Sequence, residues 1–306
     1  MPDRFGEAAF KERSGSGETG RTPAAGAGPS VDAGPPADAG RTAETGPAAE
    51  AGLEEALGSA LVREQFMLEY QPQLELATGR IVGAEALIRW HLPGRGVVMP
   101  GEFIPLAERS GRIAEIGRWV IRTACRQNQA WRRAGVGSLR VAVNVSAVQL
   151  FHGDIVDAVA SALADSGLDG SSLELEITES VMVDPKRAVP TLERLKSLGV
   201  RVSIDDFGTG YSSLQYLKSM PIDGLKIDRS FIRNLLEDAQ DQAIVMAIAS
   251  MARHLGLRLV AEGVETADQL SFLRALGCDE IQGYYVSRPL PADRLREMLR
   301  PGGAGA

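Results

Sequence analysis

Carboxylate, amide and lysine side chains recur within or directly after the apolar segments of this 306-residue chain. Burying an isolated carboxylate is costly unless it is paired or bound to a metal ion. One such residue could be a satisfied polar group of the core, but a series of them along the chain favours one shared site. The series is Glu85, Asn144, Glu176, Asp205, Asp206, Lys226, Glu262 and Gln282.

The oxygen ligands of this series, with no cysteine or histidine among them, are typical of sites for hard cations such as Mg²⁺ or Mn²⁺. Clustered carboxylates cannot all ionise without compensation, and two ions about 4 Å apart would supply it and clamp an in-line displacement at phosphorus. We therefore predict two Mg²⁺ or Mn²⁺ ions, and we expect Ca²⁺ to bind with slacker geometry and to inhibit. The three histidines and two cysteines are scattered, so a zinc site is not predicted.

The lysine of the series has three possible roles. Near the ions, the ammonium of Lys226 could hold a nucleophilic water or stabilise charge on a phosphate. A structural alternative is an ion pair between Lys226 and Asp205 or Asp228. A third possibility is metal-assisted chemistry on a carbon acid with Lys226 as the base, since one fold can host many chemistries.

The segment from Asp205 to Leu214 reads DDFGTGYSSL. Two glycines after an acidic strand end predict a mobile loop over the site, and Ser212 could cap the helix that follows. A phosphate-cradling loop is the alternative. The segment lacks the Gly-Lys-Ser/Thr ending of a P-loop, so the sequence favours the mobile loop.

The elements that must position these residues form an alternating pattern of strands and helices. Eight strand candidates over roughly 250 residues predict an α/β fold, a modified (β/α)8 barrel of the TIM type, with reactive groups at the C-terminal ends of its strands. The short turn at residues 77–80 predicts that the first strand runs antiparallel to the second. A doubly wound open sheet is the alternative. The candidates are Phe66–Leu76, Ile81–Trp90, Leu139–Val145, Leu173–Thr178, Val200–Asp205, Gly224–Ile227, Arg258–Ala261 and Glu280–Gln282.

The sequence divides into a predicted N-terminal tail and a predicted folded domain. Of residues 1–52, 28 are Gly, Ala or Pro, which predicts a disordered tail because so little apolar surface can be buried. Residues 53–300 form the predicted domain. The net charge of −7 argues against binding of long nucleic acid. There is no apolar stretch of about 18 residues and no signal-peptide core, so we expect a cytoplasmic protein that is not bound to a membrane.

Several short motifs, in order along the chain, resemble those of the EAL domain family, the cyclic di-GMP (c-di-GMP) phosphodiesterases. One three-letter motif would carry no weight, but the ordered set is specific and spans about residues 53–299. The motifs are Tyr70-Gln71-Pro72, Glu85-Ala86-Leu87 with Ile88-Arg89, Asn144-Val145-Ser146, Glu176-Ile177-Thr178-Glu179, the DDFGTGYSSL loop, Lys226-Ile227-Asp228, Ala261-Glu262-Gly263-Val264-Glu265 and Gln282-Gly283-Tyr284.

The resemblance implies a modified β/α barrel, a homodimer, that hydrolyses c-di-GMP to linear pGpG. No position of the metal or loop motifs departs from the family pattern, so it implies a competent enzyme. The alternative is a receptor or scaffold that binds c-di-GMP without turnover. The implied ligands of the first ion are Glu85, Asn144, Glu176 and Asp205, and those of the second are Asp205, Asp206 and Glu262.

The resemblance also implies roles for residues around the ions. Lys226 and Gln282 would position the attacking water and, with Glu85 and Glu262, make up the catalytic set. Glu179 would anchor the mobile loop. Gln71 and Arg89 would contact the substrate, and the guanidinium of Arg89 suits a phosphate by charge and by geometry.

Overall fold

The computed structural model describes residues 47–152, 154–210 and 214–299. Residues 1–46, most of the predicted tail, and the end of the chain from residue 300 lie outside these ranges, as does Ser212. The strands within the described ranges are β1 Phe66–Glu75, β2 Ile81–Leu92, β3 Gly96–Val98, β4 Arg140–Val145, β5 Leu173–Thr178, β6 Arg201–Phe207, β7 Gly224–Ile227, β8 Arg258–Ala261, β9 Glu280–Gln282 and β10 Leu290–Pro291.

Eight of these strands close into a barrel. Strands β2 and β4 to β9 run parallel to one another in chain order, and β1 closes the circle by pairing antiparallel with both β2 and β9. The predicted barrel with an antiparallel first strand is therefore confirmed, and the open-sheet alternative is wrong. The sequence pattern missed β3 and β10, which are too short to show an alternation.

Helices cover the outside of the barrel. Those of the described ranges are α1 Pro47–Ala60, α2 Pro100–Arg109, α3 Ile113–Arg133, α4 Ala147–His152, α5 Ile155–Ser166, α6 Pro185–Ser197, α7 Leu214–Leu217, α8 Arg229–Arg233, α9 Ala239–Leu255, α10 Ala267–Leu276 and α11 Ala292–Met298. Helix α1 begins inside the segment predicted as a tail. Over the described part of the chain, no helix is both long and apolar enough to cross a bilayer.

The two faces of each barrel strand serve different purposes. In β5, Leu173, Leu175 and Ile177 are buried on the face toward the helices, whereas Glu174 and Glu176 alternate with them. Because successive side chains of a strand point to opposite sides, the glutamates point into the barrel. The apolar layer between sheet and helices is thus the main core, and the barrel interior is lined with polar and charged groups.

Candidate active site

Lys226 lies at the centre of a buried acidic cluster in the barrel. Its Nζ is 2.5 Å from Glu262 Oε1, 2.9 Å from Glu176 Oε2, 3.1 Å from Asp205 Oδ1 and 3.8 Å from Glu85 Oε2. The side chains of Lys226 and Glu176 are only 1% exposed. We define the upper cluster as Lys226 with Glu85, Glu176, Asp205, Asp206 and Glu262.

The strand arrangement brings these residues together from distant parts of the sequence. The acidic residues lie on β2, β5 and β6 and directly after β8, and Lys226 lies on β7. These strands are parallel, so their C-terminal ends share one end of the barrel. In β6, Asp205 lies on the same face as Ser203, close to the C-terminal end of the strand.

Glu85 is oriented by two amides. Its Oε1 accepts a hydrogen bond of 2.6 Å from Asn144 Nδ2, and its Oε2 accepts one from Gln282 Nε2. Burial acts to raise the pKa of Glu85, yet the charge of Lys226 and these hydrogen bonds hold that pKa below its usual range. Glu85 is therefore an ionised carboxylate that is fixed in place.

A second group of oxygens lies beside the first. Ligand oxygens of Asp205, Asp206 and Glu262 lie within 4.8 Å of one another, close enough to share one cation. The backbone of Asp206 has a φ of +53°, which is uncommon for a residue other than glycine. Backbone strain of this kind costs about 1–3 kcal/mol and clusters at functional sites.

Three of the five carboxylates in the upper cluster have a raised pKa. Burial raises the pKa of Glu176 well above its ordinary value, against the charge of Lys226 and with the help of nearby carboxylates. Burial likewise raises the pKa of Glu262 to about 8 and, with the charge of Asp205, that of Asp206 to about 6. Burial would lower the pKa of Lys226, but the surrounding carboxylates outweigh it and raise that pKa well above normal.

The residues present fit divalent cations. With every group ionised, five carboxylates and one ammonium carry a net charge of −4, which two divalent cations would neutralise. Glu176 Oε2 lies 2.9 Å from Lys226 Nζ, whereas Glu176 Oε1 is buried with no hydrogen bond found among the described residues. Buried oxygens of this kind need a partner, and a hard cation is the partner that carboxylates suit.

The structure places the predicted loop anchor against the loop. Glu179 Oε2 accepts backbone hydrogen bonds from Gly208, at 3.0 Å, and Gly210, at 3.1 Å. The φ of Gly208 is +101°, a conformation that favours glycine. Because these two amides donate to a carboxylate, they are not available to cradle a phosphate, which argues against the phosphate-loop alternative.

The two predicted substrate contacts lie on the strands next to and containing Glu85. Gln71 pairs with Glu85 across β1 and β2, and Arg89 lies further along β2. Arg89 follows Glu85 by four residues on the same face of β2, and its Nε donates to Glu69 Oε2 at 2.9 Å. Arg89 Nη1 donates to a backbone carbonyl, and no hydrogen bond of Nη2 is found within the described residues. Gln71 Oε1 accepts from Gln282 Nε2 at 3.0 Å, and Gln71 Nε2 donates to the carbonyl of Ser287.

The comparisons with known proteins agree with this geometry. The model of the EAL domain family matches residues 54–289. The chain belongs to the EAL domain family. It is 49% identical over 240 residues to MucR of Pseudomonas aeruginosa, a bifunctional diguanylate cyclase/cyclic di-GMP phosphodiesterase, over 78% of this chain and 35% of MucR. The match to the cyclic di-GMP phosphodiesterase NbdA of the same organism is 49% over 249 residues, covering 81% of this chain and 32% of NbdA.

This EAL domain chain thus spans about a third of the length of these curated relatives. Solved structures show the same fold. A PaMucR phosphodiesterase in complex with c-di-GMP is 48% identical with a TM-score of 0.77, over 80% of this chain and 99% of that one. The FimX EAL domain of Xanthomonas citri in complex with c-di-GMP is 29% identical with a TM-score of 0.72, over 79% of this chain and 94% of that one.

The sequence analysis missed a second charged group inside the barrel. Arg140 Nε lies 2.6 Å from Glu174 Oε2 and Arg140 Nη2 lies 2.5 Å from Glu280 Oε2, while Arg258 pairs with both glutamates. We define the lower cluster as Arg140, Glu174, Arg258 and Glu280. A signal was present in the sequence, because Glu174 and Glu280 each precede a predicted site residue by two positions on the same strand, which is the spacing of one strand face.

Proposed function

We propose that this EAL domain is a c-di-GMP-specific phosphodiesterase that hydrolyses the substrate to linear pGpG with two Mg²⁺ or Mn²⁺ ions. The surplus negative charge of the upper cluster is the observation that carries the proposal. The c-di-GMP complexes of its structural neighbours support the choice of substrate.

The proposed ligands of the first ion are Glu85, Asn144, Glu176 and Asp205, and those of the second are Asp205, Asp206 and Glu262. When bound, the ions would supply Lewis acidity toward the phosphate and lower the pKa of a bound water. For Asn144 the ligand is its amide oxygen, so its amide nitrogen can keep the hydrogen bond to Glu85.

The side chains of the chain itself would bind the substrate and steer the water. In the metal-free chain the surrounding carboxylates raise the pKa of Lys226 well above normal, so its proposed part is to hold the water or to stabilise negative charge on the phosphate. Arg89 presents Nη2 to a phosphate oxygen, and Gln71 borders the same space. The oxygen of water bonds to phosphorus and loses a proton to solvent. The bond from phosphorus to the 3′ oxygen breaks, and that oxygen takes up a proton from solvent and leaves as a hydroxyl, while the phosphate stays on the 5′ oxygen.

Incubation of the purified chain with c-di-GMP and Mg²⁺ or Mn²⁺, followed by chromatography, tests the proposal. We expect pGpG with either metal, none with EDTA, less when Ca²⁺ is added, and little turnover of other cyclic dinucleotides. Binding of c-di-GMP without pGpG under either metal would overturn the enzyme and support a receptor. Crystals soaked with Mn²⁺ that hold a single ion would instead favour the carbon-acid alternative.

We further propose that the chain acts as a homodimer in the cytoplasm. The family resemblance supports the dimer, and the buried, unpaired thiols of Cys125 and Cys278 are consistent with a reducing compartment. Light scattering of the purified chain measures its oligomeric state. We expect twice the mass of one chain, and the mass of a single chain would contradict the dimer.

A further inference from the structure

A line of hydrogen bonds connects the lower cluster to the upper one. Arg140 Nη2 donates to Gln73 Oε1 at 3.0 Å, Gln73 Nε2 donates to Gln282 Oε1 at 3.0 Å, and Gln282 Nε2 donates to Glu85 Oε2. Gln73 is 1% exposed and Gln282 is 4% exposed. The four side chains come from β1, β2, β4 and β9, so the line crosses the interior of the barrel.

The chemistry of the two ends fixes the direction of every bond in the line. A guanidinium has only donors, so Gln73 must turn its amide oxygen toward Arg140 and its NH₂ toward Gln282. Gln282 must then offer its oxygen to Gln73 and its NH₂ to Glu85. An ionised carboxylate only accepts, so this direction also satisfies Glu85 at the far end.

A glycine in β2 provides the space in which Gln73 and Arg140 meet. Gly83 lies opposite Gln73 in the pairing of β1 with β2 and beside Arg140 in the pairing of β2 with β4. A Cβ atom at residue 83 would lie 2.5 Å from Gln73 Oε1 and 3.0 Å from Arg140 Nη2. The glycine therefore gives the two side chains the space in which they meet.

We propose that Gln73 is a positioning residue: it fixes the amide of Gln282 so that Glu85 is held ready to bind metal. The inference rests on the proposed function, because it assigns Glu85 to a metal site. Both amide hydrogens of Gln282 are engaged, one by Glu85 and one by Gln71. Gln282 therefore serves the site chiefly by holding Glu85, and toward a water it has only its oxygen to offer.

The substitution Gln73→Glu tests the direction of the line at constant shape. A carboxylate at position 73 still accepts from Arg140 but can no longer donate, so it repels Gln282 Oε1. If Gln282 turned its amide over, its oxygen would face Glu85. Outer-shell contacts of metal ligands typically change metal affinity about 10–100-fold, and we expect a loss of that size in Mn²⁺ affinity.

Gln65→Glu is the matched control. Gln65 is 9% exposed, and its Oε1 accepts from the indole of Trp90 at 3.0 Å, a contact that a carboxylate can keep. It adds the same charge at a buried position that directly precedes β1 and lies outside the line. We expect Gln65→Glu to bind Mn²⁺ like the unchanged chain.

Calorimetric titration of the metal-free full chain with Mn²⁺ is the measurement, with thermal unfolding of each variant alongside. A purely structural role would lower the melting temperature and leave affinity in the folded protein unchanged. Turnover of the Gln73→Glu variant should recover at high Mn²⁺, because its defect lies in affinity. If that variant does not fold, Gln73→Met, which removes the donor without adding charge, should still weaken Mn²⁺ binding severalfold.

The outcomes separate this inference from the proposed function. If the unchanged chain binds no Mn²⁺, the proposed function fails. If it binds Mn²⁺ and the folded Gln73 variants bind equally well, the role of Gln73 is refuted and the proposed function stands. An equal loss in Gln65→Glu would also refute it, since any buried charge would then have the same effect.

Discussion

The upper and lower clusters lie inside the same barrel and both combine carboxylates with basic side chains, yet only the lower cluster is balanced in charge. In the lower cluster two arginines meet two glutamates and each group has an ion-pair partner. Burial alone would raise the pKa of Glu174, but the two arginines lower it below its ordinary value. In the upper cluster one lysine faces five carboxylates, and three of them have raised pKa values.

The difference distinguishes a cluster whose charges balance from the cluster that we propose binds metal ions. Buried charge by itself marks neither, because both clusters contain charged side chains that are buried. These are Glu85, Glu176, Asp205 and Lys226 in the upper cluster and Arg140, Glu174 and Glu280 in the lower cluster. A balanced cluster needs nothing further, whereas a surplus of buried negative charge is costly until cations arrive. The comparison can be sharpened by changing one cluster at a time.

The largest effect is expected from two substitutions within the upper cluster. Glu85→Ala should lower turnover more than about a thousandfold because it removes a proposed metal ligand. Lys226→Ala should cost at least about a hundredfold but should retain metal, because lysine stabilises charge rather than binding the ions. Calorimetric titration with Mn²⁺ measures the difference, and equal loss of metal in both variants would refute the two roles.

A glutamate-to-glutamine change should have opposite effects on stability in the two clusters. Glu174→Gln leaves Arg140 and Arg258 with only Glu280 as a shared carboxylate partner. It should lower the free energy of unfolding by about 3–5 kcal/mol. Glu176→Gln relieves surplus charge, so the metal-free chain should melt about 1–3 °C higher, while its Mn²⁺ affinity falls. Thermal unfolding in EDTA checks both, and a destabilised Glu176→Gln variant would argue against stored repulsion.

The metal-free chain should lose stability as the pH rises from about 4.5 to about 8. The folded chain keeps a proton on Glu262 up to a pKa of about 8, whereas the unfolded chain releases it near 4.5. The folded state thus binds more protons in this window, and its free energy of unfolding should fall by at least about 1 kcal/mol.

Chemical denaturation in EDTA at several pH values measures this slope, with Glu262→Gln as the variant that should flatten it. Glu174 should act in the opposite sense, because a lowered pKa contributes stability that is lost only as the pH falls below about 4.5. Stability that is constant or rises between pH 5 and pH 8 would contradict the charge surplus.

The smallest effect is expected at a glycine of the barrel wall. Gly83→Ala crowds Gln73 and Arg140, so it should lower the free energy of unfolding by about 1 kcal/mol. Gly101→Ala is the control, because a Cβ there meets nothing within 4 Å and the φ is not positive. The two variants are compared by denaturant unfolding. Equal stability would show that the side chains around residue 83 can move aside for a methyl group.

The sequence was sufficient to predict the barrel and its antiparallel first strand. Strand ends with polar residues, together with the short turn at residues 77–80, carry that information locally. The sequence also named the members of the upper cluster, because each stands out against an apolar segment. Their roles as ligands remain predictions that the experiments above test.

The lower cluster could not be found in the same way. Arg140 and Arg258 lie at the first positions of their strands, where a charged residue normally marks the solvated end of an element. Only the closed barrel shows that they point inward and meet Glu174 and Glu280. The function of Gln73 likewise depends on contacts with residues 67 and 209 positions away along the chain.

Crystals of the unchanged chain soaked in Mn²⁺ test the central claim most directly, because anomalous scattering locates the ions without reference to activity. The charge surplus predicts two ions, both in the upper cluster, with Asp205 between them, and none in the lower cluster. A fully soaked crystal with no ion among these carboxylates, or with an ion in the lower cluster, would contradict the account.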